Sequence, residues 1–466
     1  MPRTVQEILD QAEELATRFE SHEPDADAVA LGQQFDHPDS PSRSELYEWL
    51  GRAQAALGAE SAARASWERA TQITSSRSHQ ARLHTRIAES FARSGKHARA
   101  AEAYRRIWTR YPEQAEADSA ARELDGLERT LGRTYRDAEH MLERGRTLYK
   151  RRRNEAALAA FEGAIALGLS SKQKTRAESG RAESLFRLRR YPEAAKAYDA
   201  LPYTEERRIQ RSRAYARSGQ VPRGAKDLEA LGNGSKTSQG TRALLIAALL
   251  WDGEGAWTRA ARLYQRILKR APKSSAAESA RWRLGWEAYR GERYEEAIEH
   301  FEKLELIEDD PIVALRPRYW ILRARERLGD LEALSGFQEL AQEYPFTYYG
   351  WRSAGRVAPR PDLPPPLVES IPGGAVALQS DDLARARILV EAGLAEAARS
   401  ELAALRKRAK GLDDRLSLAQ LHAEIGDFNR AQRIVIDHYG GRLSRGPAAR
   451  HIDLWWHAWP APFEGA

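Results

Sequence analysis

The sequence predicts an all-α fold, a solenoid or superhelix of stacked antiparallel helical hairpins, on three observations. The chain has 466 residues, more than one hydrophobic core usually covers. It combines 42% apolar with 30% charged residues at a mean hydropathy of -0.66, which is typical of thin helical layers with narrow apolar stripes. A degenerate pattern of small, apolar and aromatic residues also recurs about seven times, which indicates a repeat architecture.

Composition and charge exclude several classes of function. The net charge of +7 is a small excess of 74 basic over 67 acidic residues, and both signs are interleaved, so we expect no dedicated nucleic-acid surface. The lack of cysteine excludes disulfides and zinc-thiolate sites. The 11 histidines show no metal-binding spacing, so neither a metal nor a cofactor is predicted. The longest apolar run, 243–251, is too short to span a bilayer.

Changes in composition divide the chain into four parts. Residues 1–43 are predicted to hold an N-terminal helix and a linker rich in proline and aspartate. Residues 44–345 carry the helical repeats. Residues 346–376 comprise the last five residues of the segment YPFTYYG, which begins at Tyr344, and a proline-rich joint. Residues 377–466 comprise the last helical hairpins and an aromatic tail.

Each repeat unit has a fixed internal spacing. A small residue is followed by an apolar residue three positions later, an alanine nine after that, an aromatic residue or leucine four on, and an apolar residue three beyond. Four units show the pattern cleanly: Ala88, Phe91, Ala100, Tyr104, Ile107; Gly145, Leu148, Ala157, Phe161, Ala164; Ala182, Leu185, Ala194, Tyr198, Leu201; and Gly285, Ala288, Ala297, Phe301, Leu304. Three further units between Ser44 and Pro311 fit it more loosely.

This spacing predicts a helical hairpin for each unit. Steps of three and four place residues on one helix face, and the nine-residue step crosses a tight turn. The predicted turns are marked by Gly95, Gly219 and Tyr191-Pro192. Pro112 and Pro272 follow second helices that cannot continue through a proline. The spacing resembles the tetratricopeptide repeat, whose small residues let helices approach while the aromatic residue fills the space towards the next hairpin.

Helical spacing resumes after the proline-rich joint. One hairpin is predicted around Leu389, Ala398, Leu402 and Leu405, and another over residues 418–439, with its turn at Gly426-Asp427. The chain then ends on LWWHAWPAPFEGA.

The last third of the chain resembles the superhelical region of soluble lytic murein transglycosylases. The resemblance covers residues 279–463 and depends on the order of its segments: YPFTYYG, the proline-rich link, ARARILVEAGLAEAARSEL, LAQLHAEIGDFNRAQRIV and the Leu-Trp to Pro-Phe ending. It implies a curved helical scaffold, followed by a lysozyme-like domain that cleaves peptidoglycan without water. In that domain a single glutamate serves as acid and then base, with no metal required.

The resemblance also sets expectations for location and partners. The family's catalytic motif, Glu-Ser-x-Phe-x-Pro, is expected beyond Phe463, and the sequence stops three residues later. We therefore expect a non-catalytic scaffold that is inactive alone and positions a lysozyme-like catalytic domain, in cis or in trans, or the peptidoglycan substrate. The family implies a periplasmic location. The N-terminal stretch lacks the apolar core of a secretory signal, which leaves a cytoplasmic location open.

One internal segment, RAESLF at 181–186, resembles the first half of that catalytic motif and makes Glu183 a candidate acid. The proline and glycine-rich parts of the motif do not follow it, and Ala182 and Leu185 already fill two repeat positions. We therefore predict that Glu183 is a helix surface residue that pairs with Arg187 one turn later. No catalytic residue is assigned.

Seven aromatic residues form the candidate functional surface. They are Tyr348, Tyr349 and Trp351 after the last repeat, and Trp455, Trp456, Trp459 and Phe463 in the tail. They could cap the open end of the solenoid, dock a catalytic domain or stack on sugar rings, because flat apolar faces with a polar edge suit all three roles.

A different class of function is the alternative. A general tetratricopeptide adaptor would bind a protein or peptide partner on its concave face, without any link to cell-wall chemistry. It predicts basic residues on the first helices, aimed at a partner's carboxylates. Arg176, Arg181 and Arg187 are candidates for this role.

Overall fold

The computed structural model describes residues 43–305, 311–357, 380–391, 395–443 and 458, and the regular structure there is α-helical throughout. The all-α prediction is confirmed. The predicted N-terminal helix and most of the proline-rich joint lie outside these ranges. The helices are α1 (Arg43–Ala56), α2 (Glu60–Ile73), α3 (Arg77–Arg93), α4 (His97–Arg110), α5 (Glu116–Leu131), α6 (Ala138–Lys150), α7 (Asn154–Ala166), α8 (Ser171–Arg187), α9 (Tyr191–Asp199), α10 (Glu205–Arg217), α11 (Val221–Gly234), α12 (Ser238–Gly253), α13 (Trp257–Arg270), α14 (Ser275–Arg290), α15 (Tyr294–Glu305), α16 (Pro311–Arg327), α17 (Glu332–Glu343), α18 (Tyr348–Ala354), α19 (Ser380–Glu391), α20 (Ala395–Leu405), α21 (Leu412–Glu424) and α22 (Phe428–Leu443).

The chain divides into two compact units. The first consists of Met1–Leu188 and Gly374–Ala431, and its described part contains the hairpins α1/α2, α3/α4, α6/α7 and α19/α20. The second consists of Arg189–Gly373 and Gln432–Ala466, and contains the hairpins α10/α11, α12/α13, α14/α15 and α16/α17, with α18 packed on α17. Within the described helices, none is long and apolar enough to cross a membrane.

The small residue of each repeat makes room for the aromatic residue sixteen positions later. A Cβ atom added at Gly145 would lie 2.8 Å from the Phe161 ring, and one at Gly285 would lie 2.8 Å from the Phe301 ring. A Cβ at Gly180 in α8 would overlap the other edge of Phe161. Phe161 therefore fills the space between its own hairpin and the next helix, which is why a single hairpin cannot bury its apolar stripe alone.

Burial confirms the predicted repeat register. Of the twenty positions in the four clean units, all but one are buried, including Ala182, Leu185 and Phe301. The exception is Phe91, which is half-buried, and the Arg64 guanidinium lies over its ring at 4.7 Å from the centroid. Cation–π contact suits an aromatic ring with one wet face.

The hairpin turns use left-handed backbone. Gly95 and Gly219 have φ of +68° and +88°, as the turn prediction requires. Three equivalent turns use residues with side chains instead, Arg152, Arg189 and Glu292, with φ near +60°. The second helices α4 and α13 end two residues before Pro112 and Pro272, so the predicted helix ends are confirmed.

Helix α5 lies outside the predicted repeat pattern and has no second helix of its own. Its apolar stripe is short, consisting of the buried residues Ala117, Ala120 and Leu124. It packs on α4 and touches α3, while α6 also contacts α4. Gly132 ends the helix in left-handed conformation, and Arg136 pairs with acidic residues of the last turns. An unpaired helix thus separates the hairpin α3/α4 from the hairpin α6/α7.

Candidate binding surface

The segment YPFTYYG contains the first residues of α18, and its threonine and its last glycine fix the start of that helix. Thr347 caps α18: its hydroxyl accepts from the Gly350 amide at 3.0 Å and donates to the Tyr344 carbonyl at 2.9 Å. The Thr347 amide also donates to the Tyr344 carbonyl, at 3.1 Å. A Cβ atom on Gly350 would overlap that carbonyl oxygen. The motif therefore needs Thr and Gly at these positions to aim its aromatic side chains.

The three candidate aromatic residues of this segment point in different directions. Tyr348 and Trp351, one helical turn apart, are 61% and 62% exposed. Tyr349 is half-buried and its ring contacts the buried Tyr319 at 5.4 Å between centroids. We call Tyr348 and Trp351 the α18 face. The other four candidates, Trp455, Trp456, Trp459 and Phe463, lie outside the described residues.

Tyr349 belongs to a larger aromatic strip that runs over α14, α16 and α18. The strip consists of Trp282, Trp286, Tyr289, Tyr319, Trp320, Tyr349 and Tyr348. Tyr319 is buried, Tyr348 is exposed, and the other five rings are half-buried. Sequence reasoning missed the α14 and α16 members. The signal was present in α14, where aromatic residues at i, i+4 and i+7 fall beside the buried stripe.

Ring contacts make the strip continuous. Along α14, Trp282 stacks on Trp286 at 6.1 Å, and Trp286 stacks on Tyr289 at 5.9 Å. Trp320 then meets Trp286 edge-on at 4.6 Å, and Tyr319 carries the contact on to Tyr349. Offset-stacked and edge-to-face pairs are the favoured aromatic geometries. The strip is therefore a preorganised surface.

Two arginines cover rings at the ends of the strip. The Arg316 guanidinium lies 4.1 Å from the centroid of Trp282, and that of Arg352 lies 5.9 Å from the centroid of Tyr348. The strip thus has a positively charged border.

Several exposed apolar residues precede the α18 face in the sequence. Five further large apolar residues between α16 and α18 are exposed: Val313, Leu328, Leu331, Leu334 and Phe346. Leu331 is 90% exposed although it sits at the start of a helix. Exposed apolar residues are common on protein surfaces, so these five add to the candidate surface only where they adjoin the α18 face.

The RAESLF segment has the surroundings of an ordinary repeat helix. Ala182 and Leu185 are buried, as predicted, and Glu183 is half-buried beside Tyr149. Burial, followed by the negative charge of Glu183, raises the pKa of Tyr149 to about 12. The predicted ion pair is wrong: Arg187 lies over the Tyr149 ring at 3.6 Å and donates to its carbonyl at 2.8 Å. Stacking on a ring outcompetes a weak surface pair.

The basic residues proposed for the adaptor alternative lie on α8. Arg176 and Arg187 are exposed and Arg181 is half-buried. Arg187 is already engaged with Tyr149, so it is not aimed at a partner. In the part of the chain that the structure describes, no group of three or more His, Cys, Asp or Glu residues could hold a metal ion.

Comparison with known proteins identifies the repeats. A tetratricopeptide repeat family model matches residues 113–173, 142–206, 209–275 and 257–311, and a second such model matches residues 85–113. The chain therefore contains tetratricopeptide repeats, as the spacing predicted. No curated protein sequence matches the chain significantly.

Solved structures that match the chain include two lytic transglycosylases. The 70 kDa soluble lytic transglycosylase of Escherichia coli is 16% identical, with 98% of this chain and 73% of that chain covered and a TM-score of 0.43. The lytic transglycosylase Slt of Pseudomonas aeruginosa, as an inactive mutant, is 18% identical, with 94% and 66% covered and a TM-score of 0.38. A tetratricopeptide repeat protein of Parabacteroides merdae is 15% identical, with 57% and 94% covered and a TM-score of 0.25. This chain spans about two thirds of the Pseudomonas enzyme's length.

Proposed function

We propose that this chain is the non-catalytic helical scaffold of a soluble lytic transglycosylase and that its α18 face docks the lysozyme-like catalytic domain. The scaffold is a set of tetratricopeptide repeats. The peptidoglycan role is supported by the order in which the family-like sequence segments follow one another within residues 279–463. The observation that carries the docking role is the α18 face itself, where Tyr348 and Trp351 expose about three fifths of their surface from a capped helix.

Exposed aromatic residues of this kind suit a domain interface. Tyrosine and tryptophan dominate binding hot spots because they bury a large apolar area at low conformational cost. The Arg352 guanidinium beside Tyr348 supplies a charged rim. Tyr349 contacts both Tyr319 and Tyr348, so the helix that carries the two exposed side chains packs on α16. A docking surface needs accessible aromatic side chains, and both rings are exposed.

The docking role is tested with an isolated lysozyme-like domain of a soluble lytic transglycosylase. Titration calorimetry should detect binding to the full chain, and Tyr348→Ala with Trp351→Ala should weaken it at least about tenfold. Tyr203→Ala is the matched control, because Tyr203 is 69% exposed in the same unit. An equal loss in the control, or no binding by the unaltered chain, would contradict the docking role.

The cell-wall role is tested separately. Purified peptidoglycan sacculi should retain the complex of the chain and the catalytic domain after sedimentation. The chain alone should release no anhydromuropeptides, and Glu183→Gln should change nothing in that assay. Release that Glu183→Gln abolishes would make RAESLF an active site and overturn the scaffold reading.

The adaptor alternative keeps one supporting observation, the exposed arginines Arg217 and Arg242 on the first helices α10 and α12 of the second unit. It concerns a different surface from the α18 face.

A further inference from the structure

One edge of the first unit brings together the ends of several helices. Helices α4 and α6 run in the same direction, because α5 between them reverses the chain once more. Their contacts follow this order: Arg144 of α6 donates to the Trp108 carbonyl of α4 at 2.5 Å. Beyond the end of α6, Arg151 pairs at 3.6 Å with Glu113, which follows α4 and also pairs with Arg77 at the start of α3, at 2.6 Å. The turn between α6 and α7 therefore lies beside the end of α4 and the start of α3.

Exposed basic side chains occupy this edge. They belong to the last two turns of α4 and to the passage from α6 to α7, and all of them are exposed. Four of them are consecutive in the sequence. We call the following six residues the basic edge: Arg106, Arg110, Lys150, Arg151, Arg152 and Arg153.

Few carboxylates pair with the basic edge. Arg151 reaches Glu113, which it shares with another arginine. Arg110 lies 3.9 Å from the Glu143 carboxylate. Among the residues that the structure describes, the other four members make no ion pair. Residues 150–155 alone carry four basic residues and one acidic residue, so the edge has positive charge that can attract an anion.

A neighbouring histidine responds to this charge. Burial, followed by the positive charges of Arg106 and Arg110, lowers the pKa of His84 to about 4. The His84 ring packs on Tyr111 at 5.5 Å between centroids and is uncharged at neutral pH. Surroundings that disfavour an added proton favour an added anion, for the same electrostatic reason.

The aromatic rings at these helix ends are not open for stacking. Trp108 and Tyr111 are buried, and the Arg187 guanidinium lies 3.6 Å from the centroid of the Tyr149 ring. Sugar rings and the bases of single-stranded nucleic acid bind proteins by stacking on open aromatic faces. Helix ends that lie side by side in a stacked array form a broad edge and not a groove. A flat anionic surface therefore fits this edge better than an extended polymer does.

We propose that the basic edge binds the anionic phospholipid headgroups of a membrane surface. Five of its six members are arginines, whose guanidinium fork matches the oxygens of a phosphate group in paired hydrogen bonds. Clustered basic residues are attracted by the negative potential of an anionic membrane, which extends over one Debye length, about 8 Å at physiological salt. The basic edge belongs to the first unit and the α18 face to the second, so this contact does not depend on the docking role.

Cosedimentation with lipid vesicles tests the contact. The full chain should bind vesicles of phosphatidylcholine with about 30% phosphatidylglycerol, and should bind pure phosphatidylcholine at least about tenfold more weakly. Binding should fall as salt rises from about 0.05 to about 0.5 M. Arg152→Glu with Arg153→Glu should lower the partition coefficient for the anionic vesicles at least about tenfold. Glutamate fits the left-handed backbone of Arg152, with φ of 60°, since Glu292 has φ of 59° at the equivalent turn.

A matched control reverses charge at the opposite edge of the same unit. Lys96 directly precedes α4 as Arg153 precedes α7, and the two residues have φ of -86° and -87°. Lys96→Glu with Arg99→Glu makes the same change of charge at two exposed positions and should leave vesicle binding unchanged. Arg106→Glu, on another helix of the basic edge, should weaken binding at least about threefold.

Four outcomes would overturn the proposal. They are no binding to anionic vesicles at low salt, equal binding to neutral vesicles, binding that salt does not weaken, and an equal loss in the Lys96 control. Duplex DNA binding that depends on Arg152 and Arg153, without vesicle binding, would assign the basic edge to a nucleic acid instead.

Discussion

Helices α8 and α14 are both first helices of clean repeats, yet their exposed sides differ in chemistry. Both bury a small residue and an apolar residue three positions later, beginning at Ala182 and at Gly285. The next position is Glu183 in α8 and Trp286 in α14. The difference teaches that the buried register specifies the hairpin, while the positions beside it are free to carry function. A motif that matches at those free positions, such as RAESLF, therefore says little unless the buried positions depart from the repeat.

The largest expected effect should be the same for both helices. Phe161→Ala removes a buried ring that packs on Gly180 of α8, and Phe301→Ala removes one that packs on Gly285 of α14, and each should cost about 3–5 kcal/mol of stability. Native-state hydrogen exchange of the amides in α8 and in α14 measures the local loss. A loss in one helix at least twice that in the other would mean that the repeat register does not contribute equally to the two units.

Lowering the pH should destabilise the first repeats more than the aromatic strip. Burial alone would raise the pKa of Glu48, but hydrogen bonds and attraction from His79 and Arg86, at 2.7 and 2.9 Å, lower it to about 2. The folded pKa lies below the ordinary value, so this stabilisation is present above about pH 4.5 and is lost as pH falls towards 2. It amounts to at most about 3 kcal/mol.

Substitution of this carboxylate tests the effect. Glu48→Gln should destabilise the chain by about 2–3 kcal/mol at pH 6 and by much less near pH 2.5, as measured by urea denaturation followed by circular dichroism. Equal losses at both pH values would show that the deficit comes from packing and not from charge.

Substitutions at the two positions beside the buried stripe, Trp286 and Glu183, should differ moderately in their effect on stability. Trp286→Ala removes ring contacts with Trp282, Tyr289 and Trp320, and should cost about 2 kcal/mol. Glu183→Ala removes a half-buried surface side chain and should change stability by less than about 0.5 kcal/mol. Thermal unfolding of both variants, side by side, gives the comparison. Similar losses would mean that Glu183 has a structural role that its contacts do not explain.

The smallest effect should again be shared. Arg152 and Glu292 occupy left-handed turn positions, with φ of 60° and 59°, where glycine avoids a steric penalty of about 1 kcal/mol. Arg152→Gly and Glu292→Gly should each stabilise by up to about 1 kcal/mol, because strain relief slightly exceeds the added flexibility of the unfolded chain. Urea midpoints detect such a shift, and destabilisation by both variants would refute the strain argument.

Much of the fold could be predicted from sequence because the repeat couples distant residues at fixed spacing. The pairing of Gly145 with Phe161 is readable from sixteen-residue spacing alone, and it is present in the structure. Helix α5 escaped because its stripe contains only alanines and one leucine, too little to match the pattern. Its termini, Glu116 in the first turn and Gly132 at the end, were the remaining signals.

The candidate site was less predictable, because exposure depends on packing that spacing does not determine. The sequence-based prediction placed Tyr348, Tyr349 and Trp351 in one candidate surface. The structure turns Tyr349 towards Tyr319 and leaves the other two exposed, since α18 begins at Thr347 and helical geometry places i and i+3 together.

Helix α5 shifts the repeat array by one helix, which is half of a two-helix repeat. Alternate helices of a stacked array share a layer, as α3 and α5 do, and as α4 and α6 do. Because α5 stands alone, α6 begins a new repeat in the layer that α4 occupies as a second helix. Within the first unit, the two faces of the array therefore exchange roles at α5. A partner that recognises first-helix side chains on either side of this boundary must pass from one layer to the other, so α5 limits how far such a contact can extend.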